Sequence, residues 1–189
     1  AGGVFVHSGP RFFRSANPEQ MLSPSGNCAA FGEMADGIVP GEAVAAVLLR
    51  PLSDAIADGD TIYGVIVGTG TNQDGATNGI TAPSAKSQER LIRKVQTDFD
   101  IDANSIGMIE AHGTGTPLGD PIEFNALNRV FGETKQGGKS IFLGSVKSNI
   151  GHATTAAGIC GLVRGLMSLR HGVVPPTLHA KKPNPSIAL

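Results

Sequence analysis

Ser105-Ile-Gly-Met-Ile-Glu-Ala-His-Gly-Thr-Gly-Thr-Pro-Leu-Gly-Asp120 runs from an apolar, strand-like stretch straight into a loop of glycine, threonine and proline. A second stretch, Ser140-Ile-Phe-Leu-Gly-Ser-Val-Lys-Ser-Asn-Ile-Gly-His152, repeats the plan. In each, a strand delivers its polar residues to its carboxyl end, the place where α/β folds bind ligands. The first loop leads into a helix expected over Pro121 to Phe131, with proline in its first turn and Asp120 as cap. The second leads into a helix expected from Thr154 to Arg170. That helix is apolar nearly all round and is therefore placed in the interior.

The same alternation continues outward. Ala1 to Val6 reads as the start of a buried strand, and Val44 to Leu49 as a strand buried on both faces. Ser53 to Asp58 is a short helical turn closed by Gly59. Ile62 to Gly70 is a β-branched strand, Thr71 to Ser84 a long polar loop, and Lys86 to Thr97 a helix capped by Ser84 with Leu91, Ile92 and Val95 on one face. Strands are expected at Ser105 to Glu110 and Ser140 to Gly144, with a polar turn at 132–139 between the last helix pair. This order implies an α/β layered fold with helices packed on a sheet.

Bulk properties narrow the function. The 189 residues suffice for one well-buried domain, and 40% hydrophobic against 16% charged residues argues for a globular chain. A net charge of −1 with dispersed basic residues gives no reason to expect nucleic acid or an anionic membrane as partner. The 26 glycines are separated by apolar runs, which points to many close turns. Two cysteines, Cys28 and Cys160, form neither a metal spacing nor a disulfide framework, which suits a reducing cytoplasm. No signal peptide opens the sequence, and the longest apolar run, Ala156 to Leu169, is too short to span a bilayer.

Each polar loop sets one histidine, His112 or His152, beside glycines that let backbone approach a ligand. Two imidazoles from neighbouring strands suit stabilisation of charge developing on a carbonyl oxygen. Competing motifs fail on their letters. Gly138-Lys139-Ser140 suggests a phosphate loop, but position 133 is Glu133 and the segment precedes a strand. Gly113-Thr-Gly115 lacks the third glycine of a dinucleotide fingerprint, since position 118 is Leu118. The five histidines show no paired metal-ligand spacing.

Glu110-Ala-His-Gly-Thr-Gly-Thr-Pro-Leu-Gly-Asp-Pro-Ile-Glu123 resembles the first-histidine signature of polyketide β-ketoacyl synthases. Gly144-Ser-Val-Lys-Ser-Asn-Ile-Gly-His152 resembles their lysine and second-histidine signature. In the same order, Ala35-Asp-Gly-Ile-Val-Pro-Gly-Glu42, Asn72-Gln-Asp-Gly75, Asn78 to Gln88, Pro175-Pro-Thr-Leu-His179 and Lys182-Pro-Asn-Pro185 resemble that family too. The Asn-Gln-Asp-Gly segment is most similar to multidomain modular synthases.

The resemblance implies a thiolase-like αβαβα layered fold, of which residues 1–189 cover mostly the C-terminal half, and a homodimer. It implies condensation of a cysteine-bound acyl chain with malonyl-acyl carrier protein after decarboxylation. His112 and His152 would stabilise the enolate, and Lys147 would orient and support that pair, although a plain ion pair with a carboxylate would also explain a lysine there. Thr114 and Thr116 would hydrogen-bond the phosphopantetheine arm of the carrier protein, or else stabilise a turn. No cofactor would be bound directly. Asp120 and Glu123 read as a helix cap and a first-turn charge without catalytic role.

The family's nucleophile stands in a Thr-Ala-Cys-Ser-Ser-like motif, which this sequence lacks. Cys28 falls in a surface loop of the resemblance and Cys160 in the buried helix, where packing explains it. The nucleophile-bearing N-terminal half and the closing glycine-rich stretch are thus expected to lie outside these residues, leaving the isolated fragment inactive. Ala43 and Ala45 replace common glycines. Ala153-Thr-Thr155 follows His152 where Leu-Glu is frequent, a variant similar to synthases served by separate acyltransferases. The alternative reading is a non-catalytic chain-length or scaffold subunit of the same fold; a degradative thiolase fits the motifs poorly.

Overall fold

The computed structural model describes residues 1–16, 21–77, 82–132 and 140–187. Strand β1 (Gly2–Phe5) pairs antiparallel with β2 (Ala43–Ala46), Gly3 opposite Ala45 and Val4 opposite Val44. Between them lies helix α1 (Arg11–Ala16). After α2 (Leu52–Ala57) and α3 (Ala85–Asp98), strand β3 (Met108–Glu110) pairs parallel with β4 (Phe142–Gly144), placing Glu110 opposite Gly144. Helix α4 (Gly119–Phe131) connects that pair. Helix α5 (Lys147–Ile150), a 3-10 turn at Thr154–Ala156 and helix α6 (Ala157–His171) complete the order.

The helices form where their end signals lie. The Ser84 hydroxyl accepts from Ser87 N–H at 3.2 Å and opens α3. Gly172 adopts φ +63° and closes α6. Helices α3 and α4 pack on one another. The core is small-residue and tight: Cys28, Ala30, Phe31, Ala111, Phe124 and Ile187, with Val39, Ile109 and Leu143 against it. β1 approaches the 3-10 turn so closely that a Cβ on Gly3 would sit 2.9 Å from Ala156 Cα.

Several expectations are corrected. β2 ends at Ala46, and the run beyond it is not buried on both faces; Leu48 is 95% exposed. Among the described residues β2 belongs to a two-stranded sheet with β1, and nothing among them covers the Leu48 side chain. Val4 in β1 and Val6 just after it are exposed likewise. Ile62 to Gly70 forms no strand: β-branched residues favour an extended chain, but no described residue supplies a backbone ladder, and Val67 stays 63% exposed. Helix α6 is not interior. It buries Arg164 and Ser168 and packs against β1, β2 and β3, while Leu169 on another side is 73% exposed. The strand expected from Ser105 starts only at Met108, because Asp102 caps a 3-10 turn at Ala103–Ser105, its carboxylate accepting from Asn104 N–H at 2.9 Å. The turn at 132–139 and residues 78–81 of the Asn78 motif lie outside the described residues, Gly132 and Ala82 onward excepted. Among the described residues, no helix is long and apolar enough to cross a membrane.

Candidate active site

The loop after β3 is folded around two carboxylates of α4. Glu123 accepts His112 N–H at 2.7 Å and Gly113 N–H at 2.8 Å, one on each oxygen. One Asp120 oxygen accepts Gly115 N–H at 3.2 Å and Thr116 N–H at 3.4 Å; the other accepts Phe31 N–H at 2.7 Å. Hydrogen bonds to charged acceptors contribute about 1.5–3 kcal/mol each, so the backbone carrying His112 is firmly held. Burial pushes both carboxyl groups above their ordinary range, opposed by these N–H donors.

The expected roles of both acids are therefore corrected. The helix begins at Gly119 after Leu118, and the Thr116 hydroxyl accepts Gly119 N–H at 3.2 Å. Asp120 is in the first turn and turns inward as an anchor of the loop. Glu123 anchors the His112 backbone instead of merely facing the helix dipole. The signal was present in the spacing: residues three apart share a helix face.

Gly113 makes the closest approach. It takes φ +43°, and a Cβ there would lie 2.7 Å from Ser145 Cβ and 2.9 Å from Phe31 Cε2. Gly113→Ala in the complete protein is expected to cost about 1–3 kcal/mol from overpacking, read as a drop in the denaturant midpoint. An unchanged midpoint would contradict the packing described.

The loop after β4 meets the first through Ser145, which is fully buried. Its hydroxyl donates to the His112 carbonyl at 3.3 Å and accepts Lys147 N–H at 3.3 Å. Lys147 opens α5 and is only 4% exposed. Gly151 turns the chain with φ +73°, and His152 is then held by Val39, whose carbonyl accepts His152 N–H at 2.7 Å. The His152 Nδ1 accepts Thr154 N–H at 3.1 Å, an approach aided by the positive φ of Thr154. An imidazole accepting at Nδ1 carries its proton on Nε2, so His152 presents an N–H donor at its other nitrogen.

The two rings meet edge to face, with centroids 5.3 Å apart and planes at 84°. Burial, then Lys147 and His152, push His112 down to about 4. His112 as a whole residue is nevertheless open to solvent, so solvent screens part of that lowering. His152 is pushed down by burial and by Lys147. Burial also lowers Lys147, while Glu123 and Glu110 favour its charge. The result is a pair of neutral imidazoles beside a buried amine, an arrangement that stabilises negative charge forming on a bound carbonyl oxygen.

Thr114 and Thr116 share the His112 loop, with hydroxyl oxygens 3.3 Å apart. The Thr116 bond to Gly119 gives it a turn-stabilising role as well. Cys28 is corrected: it is buried, not in a surface loop, with Sγ 4.0 Å from the Gly113 carbonyl. Burial, then Asp120, push its thiol up to about 11, which keeps it protonated and poorly nucleophilic. Cys160 is partly buried in α6. Among the described residues, no group of three or more His, Cys, Asp or Glu gathers as a metal site.

Comparison with known proteins gives the family. The family model for the beta-ketoacyl synthase C-terminal domain matches residues 63–181, and that for the N-terminal domain matches residues 1–55. The polyketide synthase PksL of Bacillus subtilis is 49% identical over 183 residues, covering 97% of this chain and 4% of that protein. The ketosynthase from module 6 of the bacillaene synthase of Bacillus subtilis superposes with a TM-score of 0.96 at 48% identity, over 99% of this chain and 34% of that one. The ketosynthase from module 1 of the bacillaene synthase of Bacillus amyloliquefaciens gives a TM-score of 0.89 at 43% identity, over 98% and 33%. The chain thus spans about a third of the solved ketosynthases it matches.

Proposed function

The chain belongs to the β-ketoacyl synthase family and has its thiolase-like fold, and from that premise we propose that residues 1–189 supply the histidine and lysine part of a polyketide ketosynthase site. The substrate is malonyl thioester on the phosphopantetheine arm of an acyl carrier protein. Its carboxylate leaves as carbon dioxide, and the bonding electrons pass through the α-carbon to the thioester oxygen. The Nε2–H of His152 and the ring of His112 stabilise that enolate, with Lys147 supporting the pair. The α-carbon then attacks an acyl thioester on a cysteine, whose thiolate departs as the new carbon–carbon bond forms. Neither Cys28 nor Cys160 is assigned as that nucleophile. It comes from a segment of the ketosynthase outside these residues.

The observation that carries this reading is the edge-to-face pair of His112 and His152 beside buried Lys147. Thr114 and Thr116 are assigned to the phosphopantetheine arm, as polar hydroxyls on the same loop. No cofactor is bound directly. A homodimer and a cytoplasmic location belong to the same proposal, the two free thiols suiting a reducing compartment.

The test is intact mass of the complete synthase after incubation with an acyl-carrier thioester, with and without malonyl-carrier protein. The expected result is acyl loading that disappears as a longer β-ketoacyl product forms. Absence of loading would refute the reading and favour a scaffold subunit.

A further inference from the structure

The ion pair between Glu110 and Arg164 has no part in the chemistry above, yet its side chains are 15% and 5% exposed, the deepest such pair among the described residues. Glu110 ends β3, two residues before His112. One carboxylate oxygen receives the Arg164 guanidinium. The other accepts Val146 N–H at 2.6 Å. Val146 directly precedes Lys147 at the start of α5, where backbone N–H groups have no partner inside the helix.

Arg164 extends the brace. Its second terminal nitrogen donates to the Pro175 carbonyl at 2.6 Å. Two residues on, the Thr177 hydroxyl accepts Ser145 N–H at 3.4 Å. The space around the pair is reserved for it. A Cβ on Gly144 would lie 2.9 Å from an Arg164 nitrogen, and one on Gly161 would lie 3.1 Å from Glu110 Cγ. Buried ion pairs add little stability compared with apolar residues of like size, so stability alone is a weak reason for this one.

Resting on the ketosynthase reading, we propose that Glu110, braced by Arg164, is a positioning residue: by holding the Val146 amide it sets Lys147 and His152 relative to His112. The strand that carries one histidine thereby grips the loop that carries the other.

The test compares two charge-free double variants of the complete synthase, E110Q/R164M and E110L/R164M. Both remove the ion pair, and neither strands a buried charge. They differ in whether position 110 offers an oxygen to Val146 N–H. Malonyl decarboxylation and cysteine acylation are measured separately. E110Q/R164M is expected to keep decarboxylation within about threefold of the parent, whereas E110L/R164M loses about 30-fold in kcat with KM within about threefold, since a displacement near 1 Å is enough for such a loss. Acylation is expected to be preserved in both. Equal decarboxylation by the two variants, or a loss shared with acylation, would overturn the proposal and reduce the pair to a structural contact. A parent enzyme that neither acylates nor decarboxylates would instead overturn the ketosynthase reading, and this proposal with it.

Discussion

Replacing His152 by Ala in the complete synthase is expected to lower malonyl decarboxylation on the order of 100- to 1,000-fold, the usual cost of one donor aimed at a developing oxyanion. Acylation of the nucleophile is expected to stay within about threefold of the parent, because it needs no malonyl enolate. A single hydrogen bond fixes the His152 ring. Thr154 N–H occupies His152 Nδ1, so the proton sits on Nε2, and the ring cannot turn without breaking that contact. Its partner His112 is fixed independently, through Glu123 on its backbone N–H and Ser145 on its carbonyl. The His152 ring therefore enters the reaction already oriented, beside a His112 whose main chain is held on both sides. His152→Gln, which keeps an amide N–H donor, is expected to recover part of the rate. Conversion of malonyl- to acetyl-carrier protein, followed by intact mass, measures both variants. An equal loss of acylation in His152→Ala would sink the role assigned, and so would an unchanged rate of decarboxylation.

The donors were legible in the sequence because each lies inside a contiguous loop that follows an apolar strand. Helices α3 and α4 were legible for a similar reason: Ser84, Pro121 and the apolar spacing are local signals. What was not legible depends on residues far apart in the chain. Asp120 has the right chemistry for a cap, yet it anchors Phe31, 89 residues earlier, and its own loop. Cys28 has the sequence context of an exposed turn but is buried against Gly113, 85 residues away. The Ile62 to Gly70 run has strand composition, but a strand exists only with a partner, and none of the described residues provides one. The interior position expected of α6 failed by the same logic. Apolar residues on all sides say that a helix is to be covered, not by which segment. Glu110 escaped notice because a carboxylate at a strand end has no pattern of its own; its meaning comes from Arg164 and Val146.

Lys147→Met is the second substitution with a large expected effect, on the order of 100-fold in decarboxylation, because it removes a fixed positive charge from a water-poor site. Its pH dependence distinguishes electrostatic support from packing. Burial lowers both imidazoles, and Lys147 lowers them further. A base whose pKa is lowered stays neutral to lower pH, and His152 must be neutral for Nδ1 to accept Thr154 N–H. The parent rate is therefore expected to hold below pH 6.5, the ordinary imidazole value, and to fall only in more acid solution. Without the ammonium group, protonation of both rings becomes easier, so the acid limb moves to higher pH. Burial persists in the variant, so the limb is expected to remain below the ordinary value. The carboxylates facing the amine, Glu123 and Glu110, favour its charge and oppose the effect of burial. A rate profile of decarboxylation against pH for parent and variant reads this directly. A lower rate with an unmoved limb would mean that Lys147 only fills space between the two loops. A moved limb would mean that its charge is what keeps the histidines neutral.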